Sequence, residues 1–179
     1  MNYITVHDKT FETFISESEI NRKVGEIGQA ITSDYKGKTP ILIGMLNGAF
    51  IFCSDLLRSI EIPCEVTFVR FSSYKGTKST GKVNEILTLQ ENIEGRDIII
   101  VEDIIDSGLT MQHTLNYFGS LKPNSIAIAS LLLKPDCLKC EVNVKYLGFE
   151  IPEKFVVGYG LDYAGLGRSF KDIYQLKAN

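Results

Sequence analysis

Three carboxylates fall within five positions of the stretch IIIVEDIIDSGLT, which spans residues 98–110. Glu102 and Asp103 follow four apolar residues, Asp106 follows two further isoleucines, and a turn of small residues, 107–110, comes next. Carboxylate oxygens are ligands that Mg²⁺ prefers, and they also accept hydrogen bonds from neutral hydroxyl groups. The spacing therefore predicts a site for a divalent cation, a polyhydroxy compound or both.

The turn 107–110 has the composition of an anion site. A helix is predicted from about Ser107, and the first N–H groups of a helix favour a phosphate. Gly108 lets the backbone approach a ligand closely, and the hydroxyls of Ser107 and Thr110 add donors. A carboxylate about 4 Å from a phosphate would cost about 4 kcal/mol. A sugar phosphate removes this conflict if its hydroxyls or a Mg²⁺ face the carboxylates. Solvated carboxylates and a helix-capping Asp106 are the alternative interpretation.

Composition limits the class of protein. The 179 residues, 44% of them hydrophobic, suffice for one α/β domain over 1–179. The net charge of -3 gives no support for binding to nucleic acid or an anionic membrane. Because no long apolar run or secretory signal is present, we expect a cytoplasmic protein. Cys137 and Cys140 form one CxxC without a second ligand pair, which favours ordinary reduced thiols over zinc or redox chemistry.

Hydrophobic periodicity predicts elements that would place the acidic stretch at a sheet edge. The predicted elements are helix 16–35 capped by Ser16 or Ser18, strand 41–46, helix 49–60, strand 64–71, loop 72–84, strand 85–90, strand 97–101 leading into an acidic loop, a helix from about 107 with Leu109, Met111, Leu115 and Phe118 buried, strand 125–134, and a tail of strands and loops. Alternating strands and helices favour a mostly parallel sheet, whose strands present ligand sites at their carboxyl ends.

The acidic stretch closely resembles the phosphoribosyl-pyrophosphate (PRPP) motif of type I phosphoribosyltransferases. The form VEDIIDSGLTM is similar to that of the hypoxanthine–guanine branch, and the resemblance extends from about residue 40 to 170. It implies a mostly parallel twisted sheet flanked by helices, with a small hood made by about 150–179 and the N-terminal segment. It also implies transfer of a 5-phosphoribosyl group from PRPP to hypoxanthine and guanine in purine salvage. A homodimer or homotetramer is expected.

The resemblance assigns roles within the acidic stretch. Glu102 and Asp103 would hold the ribose hydroxyls, directly or through Mg²⁺. The 5-phosphate would lie against residues 106–110, which include Leu109. Asp106 matches the general base that takes or shares the proton of purine N7, as a carboxylate in hydrogen-bond reach of a ring nitrogen can.

Two further motifs resemble parts that handle pyrophosphate. LNGAF matches the pyrophosphate loop, with Leu46, Asn47 and Gly48, and a cis peptide is expected between its first two residues. Many members have lysine where this chain has asparagine, which leaves the backbone role intact but puts any side-chain role in doubt. SSYKG matches a mobile lid through Ser73 and Tyr74.

The remaining motifs resemble the purine pocket and its surroundings. Lys134 matches the residue that recognises the 6-oxo group, and Phe155 the residue that stacks on the base. The Val156 backbone would meet the purine edge, while Asp162 would bind a second Mg²⁺ and present its carbonyl to the 2-position. Arg168 matches the arginine that binds pyrophosphate.

Two other functions share this fold and stay open at the level of sequence. One is transfer to xanthine or a pyrimidine. Lys134 and the pocket KFVVGYGLDY suit a 6-oxopurine and so argue against a pyrimidine, whereas xanthine, which also carries a 6-oxo group, stays open. The other is a PRPP-sensing regulator that binds RNA. Such a regulator needs a basic face, and the net charge of -3 disfavours it.

Overall fold

The structure is a computed structural model that describes residues 3–71, 85–87 and 89–177. Within these ranges the elements are β1 (Tyr3–Val6), β2 (Lys9–Ile15), α1 (Glu17–Asp34), β3 (Ile41–Met45), α2 (Phe50–Ser59), β4 (Glu65–Phe71), β5 (Glu85–Leu87), β6 (Asp97–Ile105), α3 (Leu109–Ser120), β7 (Ser125–Leu133), a 3₁₀ turn (Pro135–Cys137), β8 (Tyr146–Glu150), β9 (Val156–Val157) and β10 (Ile173–Leu176).

The larger of two sheets has the strand order β5-β4-β3-β6-β7-β8. Strands β4, β3, β6, β7 and β8 are parallel, and β5 pairs antiparallel with β4 at one edge. The central strands read as continuous apolar runs because helices cover both faces of the sheet. This arrangement confirms the predicted fold class.

Helices α1 and α2 cover one face of the large sheet, and α3 covers the other. Helix α1 begins with a capping box, in which the Ser16 hydroxyl accepts from the Glu19 N–H and the Glu19 carboxylate accepts from the Ser16 N–H at 2.9 Å. Ser16 is therefore the N-cap, rather than Ser18. The predicted apolar stripe of this helix is buried, and its members are Ile20, Val24, Ile27 and Ile31.

Two local predictions are wrong. Strand β6 continues to Ile105, so Glu102 and Asp103 lie on the strand itself and not in a loop after it; pairing of Glu102 with Ser130 on β7 extends the ladder through the acidic pair. Leu109 is 50% exposed, not buried. It lies about 200° around α3 from the buried Met111, because successive helical residues turn by about 100°.

The smaller sheet joins early and late parts of the chain, with the order β1-β2-β10-β9 and antiparallel pairing throughout. Its own core consists of Val6, Phe11, Val157 and Tyr174. The buried Tyr159 hydroxyl donates to Asp55 of α2 at 2.7 Å and so ties the segment after β9 to a helix that covers the large sheet. No helix within the described residues is both long and apolar enough to cross a membrane.

Candidate active site

A cavity of about 150 Å³ opens where β6 ends and α3 begins. Its walls are Glu102, Ile104, Ile105, Asp106, Ser107, Gly108, Thr110 and Met111. Gly108 is the N-cap of α3 and has a φ of +78°, the left-handed region that favours glycine. Among the described residues no side chain caps this helix. The start of α3 can therefore offer its backbone N–H groups to an anion in the cavity.

The segment 138–142 supports this turn from behind. The Lys139 N–H donates to the Ser107 carbonyl at 2.9 Å. A Cβ on Gly108 would lie 3.1 Å from Cys140 Sγ and 3.0 Å from Val142 Cγ2, so the turn is held tightly against the segment. Sequence reasoning missed this support, since about thirty residues separate the two stretches and no motif links them.

The Glu102–Asp103 pair is electrostatically unusual. Burial raises the pKa of the Glu102 carboxyl well above its ordinary value, and the adjacent charge of Asp103 raises it further. Burial also raises the pKa of Asp103, although hydrogen bonding and the positive charge of Arg168 oppose that effect. The Ile104 N–H donates to Asp103 Oδ1 at 2.9 Å. Such a pair gains stability from any ligand that supplies positive charge or hydroxyl donors.

Replacing Glu102 by glutamine is expected to change how stability depends on pH. Folded Glu102 keeps its proton to a higher pH than it does in the unfolded chain, where its pKa is near 4.5. Above that pH the folded state binds more protons, so the free energy of unfolding falls as pH rises toward the folded pKa. The slope from this group is at most about 1.4 kcal/mol per pH unit. Glu102→Gln removes it, so urea denaturation from pH 4 to 8 should show a flatter decline and greater stability at pH 8 than wild type.

The matched control is Glu94→Gln, since Glu94 is exposed and lies in the loop before β6. This variant should follow the wild-type pH profile. A Glu102→Gln profile parallel to that of wild type would contradict the assigned origin of the raised pKa.

Asp106 and Lys134 form an ion pair beside the cavity. Lys134 Nζ donates to Asp106 Oδ2 at 2.9 Å, and the Lys134 N–H donates to the Ile105 carbonyl at 3.0 Å. Lys134 is 8% exposed, whereas a lysine at a strand end is ordinarily solvated. The structure thus brings together a carboxylate and a cation that the resemblance assigns to one base.

The loop after β3 lies directly against the acidic pair. A Cβ on Gly48 would lie 1.6 Å from Asp103 Oδ2, so any other residue here would force the Asp103 carboxylate or the loop to move. The peptide bond between Leu46 and Asn47 is cis, as the resemblance implies. Gly160, with φ of +100°, approaches from the other side, because its Cβ would be 2.1 Å from the Gly48 carbonyl oxygen. Sequence reasoning missed Gly160, although the glycines of VVGYG were a visible signal.

Arg168 completes this side of the site. Its guanidinium donates to the Gly160 carbonyl at 2.5 Å and pairs with Asp162 Oδ1 at 2.6 Å. The second carboxylate oxygen of Asp162 accepts from the Gly165 N–H at 2.7 Å. The predicted pyrophosphate-binding arginine therefore lies next to the loop that contains Gly48.

The predicted purine platform lies at the edge of the small sheet, directly before β9. Phe155 is 42% exposed, and its ring contacts those of Phe11 and Tyr163, with centroids 6.0 and 5.6 Å apart. Val156 is buried in β9, opposite Gln175 of β10. The predicted lid residues Ser73 and Tyr74 lie outside the described residues, so the lid stays a prediction.

The acidic pair suits Mg²⁺ better than zinc. Among the described residues no group of three or more His, Cys, Asp or Glu side chains could hold a metal alone. Mg²⁺ commonly uses one or two protein carboxylates together with water and substrate phosphates. Glu102 and Asp103 can supply those carboxylates. Both oxygens of Asp162 already accept from protein donors, so a cation there would compete with Arg168.

Comparison with known proteins agrees with this geometry. Residues 16–164 match the family model of the phosphoribosyl transferase domain. Similar proteins include the hypoxanthine-guanine phosphoribosyltransferase of Dictyostelium discoideum, 44% identical over 171 residues that cover 93% of this chain and 95% of that protein. That of Bacillus subtilis is 46% identical over 167 residues, 93% of each chain.

Solved structures of phosphoribosyltransferases are also similar to this fold. A hypoxanthine phosphoribosyltransferase from Staphylococcus aureus has a TM-score of 0.88 at 41% identity, covering 93% of this chain and 91% of that one. A hypoxanthine-guanine phosphoribosyltransferase from Bacillus anthracis has a TM-score of 0.86 at 38% identity, covering 93% and 97%. The acidic strand end, the glycine turn and the Asp106–Lys134 pair lie in one site. Because the family model also matches residues 16–164, the chain belongs to the phosphoribosyl transferase family.

Proposed function

We propose that this chain transfers the 5-phosphoribosyl group from PRPP to hypoxanthine and guanine, giving the nucleoside 5-monophosphate and pyrophosphate in purine salvage. The observation that carries the proposal is the 2.9 Å ion pair between Asp106 and the buried Lys134, next to an uncapped helix start. One residue of the pair can accept from purine N7, and the other can donate to a 6-oxo group. The relatives named above support the same activity.

In the proposed reaction the site would hold the sugar phosphate in place and stabilise the charge that develops on the sugar and the base. The start of α3 and the turn 107–110 would hold the 5-phosphate, and Glu102 and Asp103 the ribose hydroxyls. As the bond from C1 to pyrophosphate breaks and the bond to the purine forms, positive charge builds on sugar and base. Asp106 would take or share the N7 proton, and Lys134 would bind the 6-oxo oxygen. Arg168 would bind the departing pyrophosphate.

Mg²⁺ is part of the proposal. Glu102 and Asp103 would hold it, with Asp162 as a second position once Arg168 turns to the pyrophosphate. The cation would neutralise charge on the phosphate oxygens when bound. Because burial raises the pKa of Glu102, this carboxyl would have to lose its proton to hold a cation, so the affinity for Mg²⁺ should increase with pH.

The direct test is a panel of bases assayed with PRPP and Mg²⁺ and scored for nucleotide. We expect product from hypoxanthine and guanine, little from adenine, and none from uracil. Exclusive use of xanthine or a pyrimidine would overturn the proposal, as would PRPP-sensitive RNA binding without nucleotide formation.

Replacing Lys134 by methionine is expected to impair recognition of the 6-oxo group. Hydrogen bonds from charged groups contribute about 1.5–3 kcal/mol, so kcat/KM for hypoxanthine should fall about 10- to 100-fold. Discrimination against adenine should weaken, because a donor no longer faces its 6-amino group. The measurement is initial rates with both bases. Lys36→Met, at an exposed lysine after α1, is the control and should leave both rates unchanged; equal losses for both bases would contradict the assigned role.

Three further points belong to this proposal. We assign the hood to the small sheet, within one domain spanning 1–179. A homodimer or homotetramer follows the family resemblance, and light scattering after gel filtration measures it. A cytoplasmic location accords with Cys53, Cys64, Cys137 and Cys140, which are free thiols.

A further inference from the structure

The turn between β1 and β2 lies beside the proposed purine platform, although it is far from it in sequence. The Tyr163 hydroxyl donates to Asp8 Oδ1 at 2.9 Å, across 155 residues of sequence. His7 Nε2 lies 3.3 Å from the Ala164 carbonyl oxygen, and the His7 ring packs edge-on against Tyr163 at 5.5 Å. The turn thus holds the residues that directly follow Asp162.

Lys9 extends this contact to the platform itself. Its Nζ lies 4.7 Å from the centroid of the Tyr163 ring and 5.4 Å from that of Phe155. Both rings also contact Phe11, whose centroid is 6.0 Å from Phe155 and 6.4 Å from Tyr163. The half-exposed Phe155 ring is therefore bounded by a cation, a phenol and a buried phenyl ring.

These contacts restrict a side chain that would otherwise be free to rotate. Phe155 immediately precedes β9, a strand of two residues, and its backbone is tied to β10 by the Leu176 N–H at 2.8 Å. The described contacts of its ring come from Lys9, Phe11 and Tyr163. A ring already fixed in its stacking orientation loses less entropy when a ligand binds, and that saving raises affinity.

We infer that Asp8 and Lys9 are positioning residues for the purine: by holding Tyr163 and Phe155 they fix the stacking ring and set the affinity for the base. This inference rests on the proposed function, since it takes Phe155 to be the surface on which the purine stacks. None of the sequence motifs includes the turn.

The test compares Lys9→Met and Tyr163→Phe with the wild-type enzyme in steady-state kinetics. Each variant should raise KM for hypoxanthine about two- to fivefold, the range expected of one exposed cation–π or hydrogen-bond contact. The KM for PRPP and kcat should stay at wild-type values, because the described side-chain contacts of Lys9 and Tyr163 reach neither the acidic strand end, nor Arg168, nor the ion pair at Lys134. Lys9→Arg, which keeps the cation, should restore the wild-type KM.

Variants of Asp8 test the same inference independently. Asp8→Asn keeps an oxygen that accepts from the Tyr163 hydroxyl and should bind hypoxanthine like wild type, whereas Asp8→Ala should match Tyr163→Phe. The double variant Asp8→Ala/Tyr163→Phe should be no worse than either single variant, because both remove one hydrogen bond.

The matched control is Lys177→Met. Lys177, which directly follows β10, has its Nζ 4.7 Å from the centroid of Tyr3, in a similar cation–ring contact that includes neither Phe155 nor Tyr163. It should leave all kinetic constants unchanged. The inference is overturned if Lys9→Met leaves the KM for hypoxanthine unchanged. It is also overturned if that variant raises the KM for hypoxanthine and the KM for PRPP equally and lowers the thermal midpoint. In either case, turnover of hypoxanthine by the wild-type enzyme still upholds the proposed function. A wild-type enzyme that uses no purine overturns both.

Discussion

Replacing Asp106 by asparagine is expected to lower kcat/KM for hypoxanthine by about 10²- to 10⁴-fold, the usual contribution of a general base. Asparagine keeps the shape of the side chain but cannot take the N7 proton. It also leaves Lys134 without the carboxylate that it contacts at 2.9 Å. Initial rates of PRPP-dependent nucleotide formation measure the loss, at saturating PRPP and Mg²⁺. The fall should appear mainly in kcat, because the proton moves in the transition state.

Asp136→Asn is the matched control for charge. Asp136 is exposed and lies only two residues after Lys134, so its loss changes the local net charge by the same amount. Nucleotide formation should stay close to wild type. Undiminished turnover in Asp106→Asn would remove Asp106 from the mechanism, and equal losses in the two variants would reduce its role to general electrostatics.

Replacing Gly48 by alanine is expected to lower kcat/KM for PRPP by at least about 100-fold. The new Cβ would lie 1.6 Å from Asp103 Oδ2 and 2.4 Å from its Cγ, so the carboxylate or the loop must move. The loop has little freedom, because Gly160 packs against the Gly48 carbonyl. A displacement of about 1 Å at a site of this kind costs about 10²-fold. PRPP-dependent initial rates measure the loss.

Gly25→Ala is the control for glycine replacement. Gly25 lies within α1, and no heavy atom is found within 4 Å of the Cβ position. Alanine there should leave activity unchanged and stabilise the fold by about 0.5–1 kcal/mol, because helices favour alanine over glycine. Full activity in Gly48→Ala would mean that the Asp103 carboxylate has no fixed role.

Periodicity predicted the architecture because each element carries its own signal. The stripe from Ile20 to Ile31 specifies α1, and continuous runs such as ILIGM specify strands buried on both faces. The end of β6 was missed for a related reason: Glu102 and Asp103 resemble a loop by type, yet the strand continues because Ile105 is buried beyond them. Residue type alone did not show that carboxylates would extend a ladder.

The site was predictable where one short motif carries it and unpredictable where distant segments meet. The roles of residues 102–110 followed from a single stretch. The burial of Lys134 could not be foreseen, since it depends on an ion pair with a residue 28 positions away. The same holds for the contact of Gly48 with Asp103 and for the hydrogen bond between Asp8 and Tyr163. Only the folded chain reveals which separated residues share a space.

The small sheet has a consequence for the order in which the protein can form during synthesis. Strand β2 pairs with β10, and Gln175 reaches Glu12 across 163 residues. At about 5–20 residues per second, a ribosome needs roughly 8–30 s to make that length. The described strands of the large sheet all precede Ile151, so the phosphate turn and the acidic strand end can form without β10. The purine platform needs β10, because the Leu176 N–H holds the Phe155 carbonyl, and we expect the place for the base to form after the place for the sugar phosphate.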